Sequence, residues 1–524
     1  MRKEILLTAK EMQDVDENTI KKTGLPGLVL MERAAFCVAD FVKNSIAEKA
    51  VSDIWVIAGN GNNGADGVAC ARILKEHQIP VKVFVIPKEE QQVNTLIKQI
   101  DIAKKMDVNF VDDFCPTKDS LIIDAIFGIG LNREITGKYA DYILACNESG
   151  AKIISIDIPS GVHATTGQIM GCCIKAYATV TMGFLKKGLY TYPGRAYCGA
   201  IKKAVIGINE YSFYETMPKY FTYYDDKRGK IDLDRKKDGN KGTFGKVLLI
   251  AGNEQTQGSA LLSCKSAFST GCGMVSLYSC DSLKSTILRE NPEVMFFSRE
   301  DDNSILNLEK QLKWCDVIAM GPGMGTTEAE IKILGHVLEN SNKPLILDAD
   351  AITLLAEHLD LRNRLIELQD NEATRRVLVM TPHMGELSRL INCSINELRE
   401  NKEEYIKKIA EDFKMILICK DADSFIWCKG MPMYLNITGT DAMATAGSGD
   451  VLLGMCASVL AQYMKKDYIP YENMKSDDVL IKCFHAVCMA TYIHGKCGEF
   501  AAKAYGNSMT RAGMLIDELR NVMI

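Results

Sequence analysis

Short apolar runs alternate with helix-like segments along nearly the whole chain, and no other feature narrows the fold as much. In the first half the runs are IWVIA (54–58), VKVFVI (81–86), SLIIDAIF (120–127) and KIISIDI (152–158). In the second they are KVLLIAG (246–252), DVIAMG (316–321), PLILDAD (344–350), VLVMTPH (377–383) and MILICK (415–420). This rhythm predicts parallel sheets covered by helices, an α/β fold. Ligands of such sheets gather at the carboxyl ends of the strands. Each run ends in polar or glycine residues, so the chemistry is expected there.

At 524 residues the chain is too long for one ordinary core, which predicts two domains. A charged stretch poor in large apolar groups, DDKRGKIDLDRKKDGNKG (225–242), divides the motifs into two sets and reads as a solvated linker. The expected domains are therefore 1–224 and 225–524. A net charge of -5 argues against a nucleic-acid surface, which wants a basic face. No apolar run reaches the roughly 20 residues of a membrane helix. The opening MRKEILLTAKEMQ turns polar after Leu7, so it lacks a signal-peptide core. Eighteen cysteines with no C-x-x-C pair read as scattered buried thiols in a reducing cytoplasm rather than as a disulfide framework.

The run ending at Ala58 enters G-x-G-x-x-G (Gly59, Gly61, Gly64), the outline of a dinucleotide-binding turn. Such a turn works by bringing bare backbone N–H groups to a pyrophosphate. Here the side chains of Asn62, Asn63 and Asp66 would crowd that approach and Asp66 would repel the phosphates, so alone the loop could be a structural turn. The neighbouring strand ends add to it: DAIFGIGLNRE (124–134) brings Asp124 and Arg133, and DIPSG (157–161) brings Asp157 and Ser160. Asn63, Asp124 and Ser160 could converge as hard oxygen ligands. One carboxylate with neutral oxygens suits a weakly charged cation better than a transition metal, which would seek His or Cys. Taken singly, each of the three reads as a turn former or cap.

In the second half AGSGD (446–450) precedes an apolar stretch and reads as a glycine turn entering a buried helix. Backbone N–H groups of Ala446 to Gly449 could form an anion nest at the helix's positive end. Asp450, just inside, would be either a base beside a transferring phosphate or an N-cap. His383 follows a strand in TPHMGE (381–386) and lies where ligands lie; Met324 in GPGMG (321–325) reads as packing, and His485 and His494 as core.

LMERAA (30–35), GNGNNGADG (59–67), DAIFGIGLNREITG (124–137), DIPSGVHATTG (157–167) and FLKKGL (184–189) resemble, in order, the NAD(P)H-hydrate epimerase family. GSGD at the head of a C-terminal helix resembles the ribokinase-like superfamily. With KGTFGKVLLIAG (241–252), GPGMG, LDADAITLL (347–355) and TPHMGE, it is similar to one branch, the NAD(P)H-hydrate dehydratases. The resemblance implies a Rossmann-like three-layer domain followed by a ribokinase-like α/β/α domain. Their substrate would be NADH or NADPH hydrated at C6 of the nicotinamide ring. One half would interconvert the R and S epimers. The other would phosphorylate the S hydroxyl from ADP, with Mg2+, so that phosphate leaves where hydroxide leaves poorly, giving NAD(P)H, AMP and phosphate.

By the same resemblance Asn62, Asn63, Gly64, Ala65 and Asp66 with Gly128, Ile129, Gly130, Leu131, Asn132, Arg133 and Glu134 would bind the hydrated dinucleotide. Asn63, Asp124 and Ser160 would hold K+, and Asp157 would be catalytic at the reacting ring. Ser259, Gly323, His383 and Asp450 would touch the substrate of the second half, Asp450 catalytically. Lys420, Asp421, Ala422, Asp423, Ser424 and Gly449 would bind the adenine nucleotide. Three positions depart from the pattern: Ala65 for glycine, Ser259 for alanine, and Cys419-Lys420-Asp421 for Leu-Lys-Gly. The expectation is a cytoplasmic homo-oligomer acting on small molecules, with no nucleic-acid or membrane partner. Two rivals are an ATP-dependent vitamin or sugar kinase in the second half and a non-catalytic binding module in the first.

Overall fold

In the computed structural model the described residues are 2–48, 51–87, 92–213, 217–224, 233, 235, 237–466 and 477–523. The chain divides into two compact units, Glu4–Phe221 and Met1–Lys3 with Thr222–Ile524. Most of the charged stretch expected as linker, and the boundary near 225, lie outside the described residues.

All four apolar runs of the first half are strands: Ile54–Ala58, Lys82–Val85, Leu121–Ala125 and Lys152–Ile156. They pair in parallel in a seven-stranded sheet that adds Asn109–Phe110, Ala178–Met182 and Ala200–Ala204. Alternate residues of a strand face opposite sides, and the burial follows. Val56 and Ala58 enter one apolar cluster with the helices Gly27–Glu48 and Asn62–Glu76, while Trp55 and Ile57 enter another. Both faces are therefore covered, which is why these strands are mostly apolar.

The second unit repeats the logic. Six parallel strands, Met295–Ser298, Met274–Ser279, Lys246–Ile250, Val317–Met320, Leu345–Leu347 and Leu378–Met380, lie side by side in that order, and Ile416–Cys419 follows. The sheet then departs from the all-parallel expectation: Phe425–Trp427 and Met433–Leu435 run antiparallel, as hairpins do. The helices Gln257–Ser269, Ser448–Lys466 and Asp477–Tyr505 pack together; Gly454 admits the close approach, since a Cβ there would lie 2.0 Å from Ser266 Oγ. All eighteen cysteines are free thiols, mostly buried. Among the described residues no helix is long and apolar enough to cross a membrane.

Candidate functional sites

In the first unit the parallel strands release their carboxyl ends into a cleft of about 1260 Å³. Helix Asn62–Glu76 begins at Asn62, so Asn62 to Asp66 are helical rather than part of a loop. That separates residues expected to act together. Asn62, Asn63 and Asp66 line the cleft. Gly64 and Ala65 do not: Ala65 is fully buried, and a Cβ on Gly64 would come 2.0 Å from the Gly59 carbonyl oxygen. Their small size lets the helix start against the strand end. Gly128 to Glu134 all line the cleft, as do Asp157 and Asp16.

The expectation that Asp66 repels a phosphate also changes. Its side chain is half-buried, and burial together with Asp157 and Asp16 lifts its pKa well above the usual carboxylate range. The shift favours the uncharged form and so weakens that repulsion.

Asp157 has φ +69°, a left-handed backbone rare for a side-chain-bearing residue. Such strain costs about 1–3 kcal/mol and persists only where the surroundings hold it. Here its N–H donates to Val180 O (2.8 Å), and its Oδ1 accepts from Met182 N (3.2 Å) and Lys186 Nζ (2.5 Å). Lys186 is 1% exposed and also donates to Thr181 Oγ1 (3.0 Å) and Met182 O (2.6 Å). Nothing in the sequence reading singled out Lys186 or Asp16. FLKKGL holds two lysines, and only the turn of the chain after Met182 shows that Lys186 is the one facing Asp157.

Asp124 and Ser160 are fully buried behind the cleft. Asp124 Oδ1 accepts from Ser160 Oγ (2.6 Å) and Ile126 N (3.2 Å), and Oδ2 from Ser155 Oγ (2.8 Å) and Ser160 N (2.9 Å). Burial raises its pKa against these donors. Asn63 Nδ2 is buried without a hydrogen-bond partner, and a Cβ on Gly128 would stand 3.3 Å from Asn63 Oδ1. The unmet Nδ2 is a donor and calls for an acceptor; of this amide only Oδ1 could face a cation. Among the described residues no group of three His, Cys, Asp or Glu side chains could hold a metal ion.

In the second unit the strand ends converge on Asp348, Lys420 and His383. Lys420 Nζ reaches Asp348 Oδ1 at 2.6 Å, and its N–H donates to Pro382 O (2.8 Å), pairing this strand end with that of His383. Although burial opposes its charge, Asp348 and Glu386 hold the Lys420 pKa above the ordinary value. Helix Ser448–Lys466 opens opposite: a Cβ on Gly449 would lie 3.4 Å from Lys420 Nζ and 3.8 Å from Asp348 Oδ2. Asp450 lies in the first turn; burial raises its pKa, while the Ser259 hydroxyl, donating to its carboxylate, and Lys420 work the other way. One turn along, Ser263 Oγ donates to the Asp450 carbonyl (3.2 Å).

Gly323 has φ +56°, and a Cβ there would meet Thr256 Oγ1 at 2.5 Å and Ser259 Cβ at 3.2 Å, which joins GPGMG to the same region. Ala349, between Asp348 and Asp350, is the unit's counterpart of Asp157, with φ +45°. His383 caps helix Met384–Ile391: Nδ1 accepts from Gly385 N (3.0 Å) and Glu386 N (3.3 Å), so the ring proton belongs on Nε2, 3.3 Å from Glu386 Oε1. Burial lowers its pKa, and its exposed ring edge remains open to a ligand.

The nucleotide segment is not uniform. Asp421 and Asp423 turn away to Lys402, which lies 3.0 Å from Asp421 Oδ2 and 2.7 Å from Asp423 Oδ1. Ser424 Oγ donates to Asp421 O (3.1 Å) and Ala422 is exposed. The side chains of Asp421 and Asp423 thus brace the segment on Lys402. Met324 is buried as packing, His494 is buried in helix Asp477–Tyr505 with its pKa lowered by burial to about 4, and His485 is only half-buried, against Tyr223.

Residues 247–521 match the family model described as NAD(P)H-hydrate dehydratase, and residues 27–188 match that described as YjeF-related protein N-terminus. The bifunctional NAD(P)H-hydrate repair enzyme Nnr of Thermofilum pendens is 31% identical over 522 residues, 95% of this chain and 92% of that one. Its counterpart in Moorella thermoacetica is 29% identical over 544 residues, 99% and 96% of the two chains. A solved ADP/ATP-dependent NAD(P)H-hydrate dehydratase from Bacillus subtilis, co-crystallised with ATP and Mg2+, is 27% identical over 56% of this chain and 94% of that one, with a TM-score of 0.44.

Proposed function

The chain belongs to the bifunctional NAD(P)H-hydrate repair enzymes, and on that premise we propose which residues carry each of its two reactions. It interconverts the R and S epimers of hydrated NADH and NADPH, and it dehydrates the S form at the expense of ADP, yielding NAD(P)H, AMP and phosphate. We assign the epimerase to residues 1–224 and the dehydratase to 225–524.

In the first unit the cleft takes the hydrated dinucleotide along Asn62, Asn63, Asp66 and Gly128 to Glu134, with the C6 hydroxyl against Asp157. Asn63, Asp124 and Ser160 form the K+ site, where a bound ion would place a positive charge beside the substrate's phosphates. Lys186 holds Asp157 in its strained conformation.

In the second unit one observation carries the assignment: Asp450 shares the region of the Lys420–Asp348 pair at the mouth of a helix whose first turn holds Gly449. The C6 hydroxyl gives its proton to Asp450 as its oxygen attacks the terminal phosphorus of ADP, and AMP leaves with the electron pair of the broken P–O bond. The helix N-terminus and Lys420 draw the phosphoryl charge. Phosphate then leaves C6 with the bonding pair, C5 gives up a proton so that its C–H electrons form the C5–C6 double bond, and NAD(P)H is restored. Ser259, Gly323 and His383 contact the hydrated ring and its nucleotide. Lys420 and the backbone of 421–424, braced by Lys402, meet the adenine nucleotide, and Mg2+ would come with its phosphates. The reading puts the enzyme with its cofactor pool, in the cytoplasm, as a homo-oligomer.

The test is direct. Hydrated NADH, as both epimers, is incubated with the protein and ADP while nicotinamide absorbance is followed. Full recovery is expected with ADP and none without it; recovery with no nucleotide requirement refutes the phosphorylation route.

A further inference from the structure

Epimerisation at C6 exchanges a hydroxyl and a hydrogen without oxidation, so a bond to C6 must break and re-form. The C6–O bond breaks readily only when its oxygen receives a proton, since hydroxide leaves poorly. The lone pair of N1 then shares the positive charge left on C6. A site suited to this route offers a neutral acid at the ring and an excess of negative charge around it.

The cleft of the first unit combines the two. Asp66 lines it, half-buried in the second turn of helix Asn62–Glu76, and its carboxyl makes no hydrogen bond or ion pair to any described residue. It is faced by Asp157, from the turn after strand Lys152–Ile156, and by Asp16, from helix Ala9–Thr23. The buried cation of this group, Lys186, is committed to Asp157. Cys70, one turn along the Asp66 helix, is a fully buried neutral thiol, and Lys10, Asp14, Glu17, Arg133 and Glu134 stand elsewhere along the cleft wall. Three carboxyl groups thus meet one ammonium. Burial and the two neighbouring carboxyls favour the uncharged form of Asp66. A ring-opened aldehyde is neutral and gains nothing from such surplus charge, whereas a cationic ring does.

We propose that Asp66 is the catalytic acid of the epimerase, delivering its proton to the C6 hydroxyl oxygen while Asp157 serves as the complementary base. This rests on the assignment of the cleft to the epimerase. As the proton arrives, the C6–O bond breaks with its pair going to oxygen, and water departs. Asp66 is left as a carboxylate, and the cation is shared between C6 and N1. Water adds to the opposite face of C6 and gives its proton to Asp157. The pair has then exchanged protonation states, which either the reverse reaction from the other epimer or proton exchange with solvent resets. Nothing is oxidised or reduced.

The experiment uses the full chain without ADP, so that only epimerisation reports, and purified R epimer in 18O-labelled water. The wild type is expected to place one solvent oxygen at C6 per epimerisation, with kcat falling as pH rises through the ionisation of Asp66. D66N keeps the size of the side chain and removes its acidity. Its kcat should fall about 10²–10⁴-fold and lose that alkaline limb, while its Kd for hydrated NADH stays within a few-fold of wild type. D66E should recover part of the rate. A near-wild-type kcat in D66N, loss of binding along with rate, or epimerisation that retains the original oxygen each overturns the proposal. A wild type no faster than the uncatalysed reaction overturns the assignment of the cleft itself, and the proposal with it.

Discussion

The proposed chemistry rests on carboxylates, and their environments set them apart. Asp450, the proposed base, works when ionised, yet burial raises its pKa and so shifts it toward the protonated form. The Ser259 hydroxyl counters this by donating to the charged carboxylate. The consequence has a definite sign. Because the base works deprotonated, turnover falls as pH drops through the Asp450 pKa. Removing the donor in S259A raises that pKa further, so the acid limb of dehydratase kcat should move to higher pH, and S259T should move it back. An unmoved limb means that the hydroxyl does not reach the working carboxylate. The helix begins at Ser448, so Asp450 sits inside its first turn and is not the N-cap the sequence allowed. Asparagine keeps its size and removes the charge, so D450N should keep ADP affinity while losing about 10²–10⁴-fold in turnover; measured near-wild-type turnover would leave it a structural residue. The sequence made Asp450 legible because a glycine turn and an apolar helix flank it. It could not show Lys186, Asp16 or Lys402, because each acts through partners at distant positions: Lys186 on Asp157, Asp16 beside Asp66, and Lys402 on Asp421 and Asp423.

Among the elements, the strands buried on both faces were the most readable. An unbroken apolar run such as IWVIA admits little else between polar boundaries, and all nine runs are strands. Two of the unread strands show why. Ala200–Ala204 (AIKKA) alternates polar and apolar residues, and Met433–Leu435 is three residues long, so neither shows a run. The start of helix Asn62–Glu76 was misplaced because asparagines and glycines suggest a loop; what admits the helix is the close fit of Gly64 on Gly59. The proposed K+ site belongs to this scale, since it joins the ends of neighbouring strands. Asp124 accepts four hydrogen bonds there, and D124N keeps its shape while removing its charge. D124N should lower epimerisation strongly and abolish its dependence on potassium, with dehydration of pure S substrate unchanged. Equal wild-type rates in sodium-only and potassium buffers, with no bound metal by elemental analysis, would count against the site.

For the whole molecule the question is whether one substrate must pass between two centres of the same chain. The catalytic groups assigned to the epimerase all lie within Glu4–Phe221, and those assigned to the dehydratase all lie within Thr222–Ile524. Neither proposed mechanism draws a residue from the other unit, so a chain disabled in one reaction should retain the other in full. D157N then leaves a dehydratase that consumes only S epimer, and D450N leaves an epimerase that restores nothing. Mixed with ADP and hydrated NADH enriched in R, the two full-length variants should complement each other through an epimer that diffuses between them. Recovery should approach that of wild type as the D450N chain is raised in excess, because the S epimer then forms as fast as it is consumed. If added D450N does not accelerate recovery beyond D157N alone, the S epimer made at one centre is not released to solution, and the two reactions are coupled within each chain.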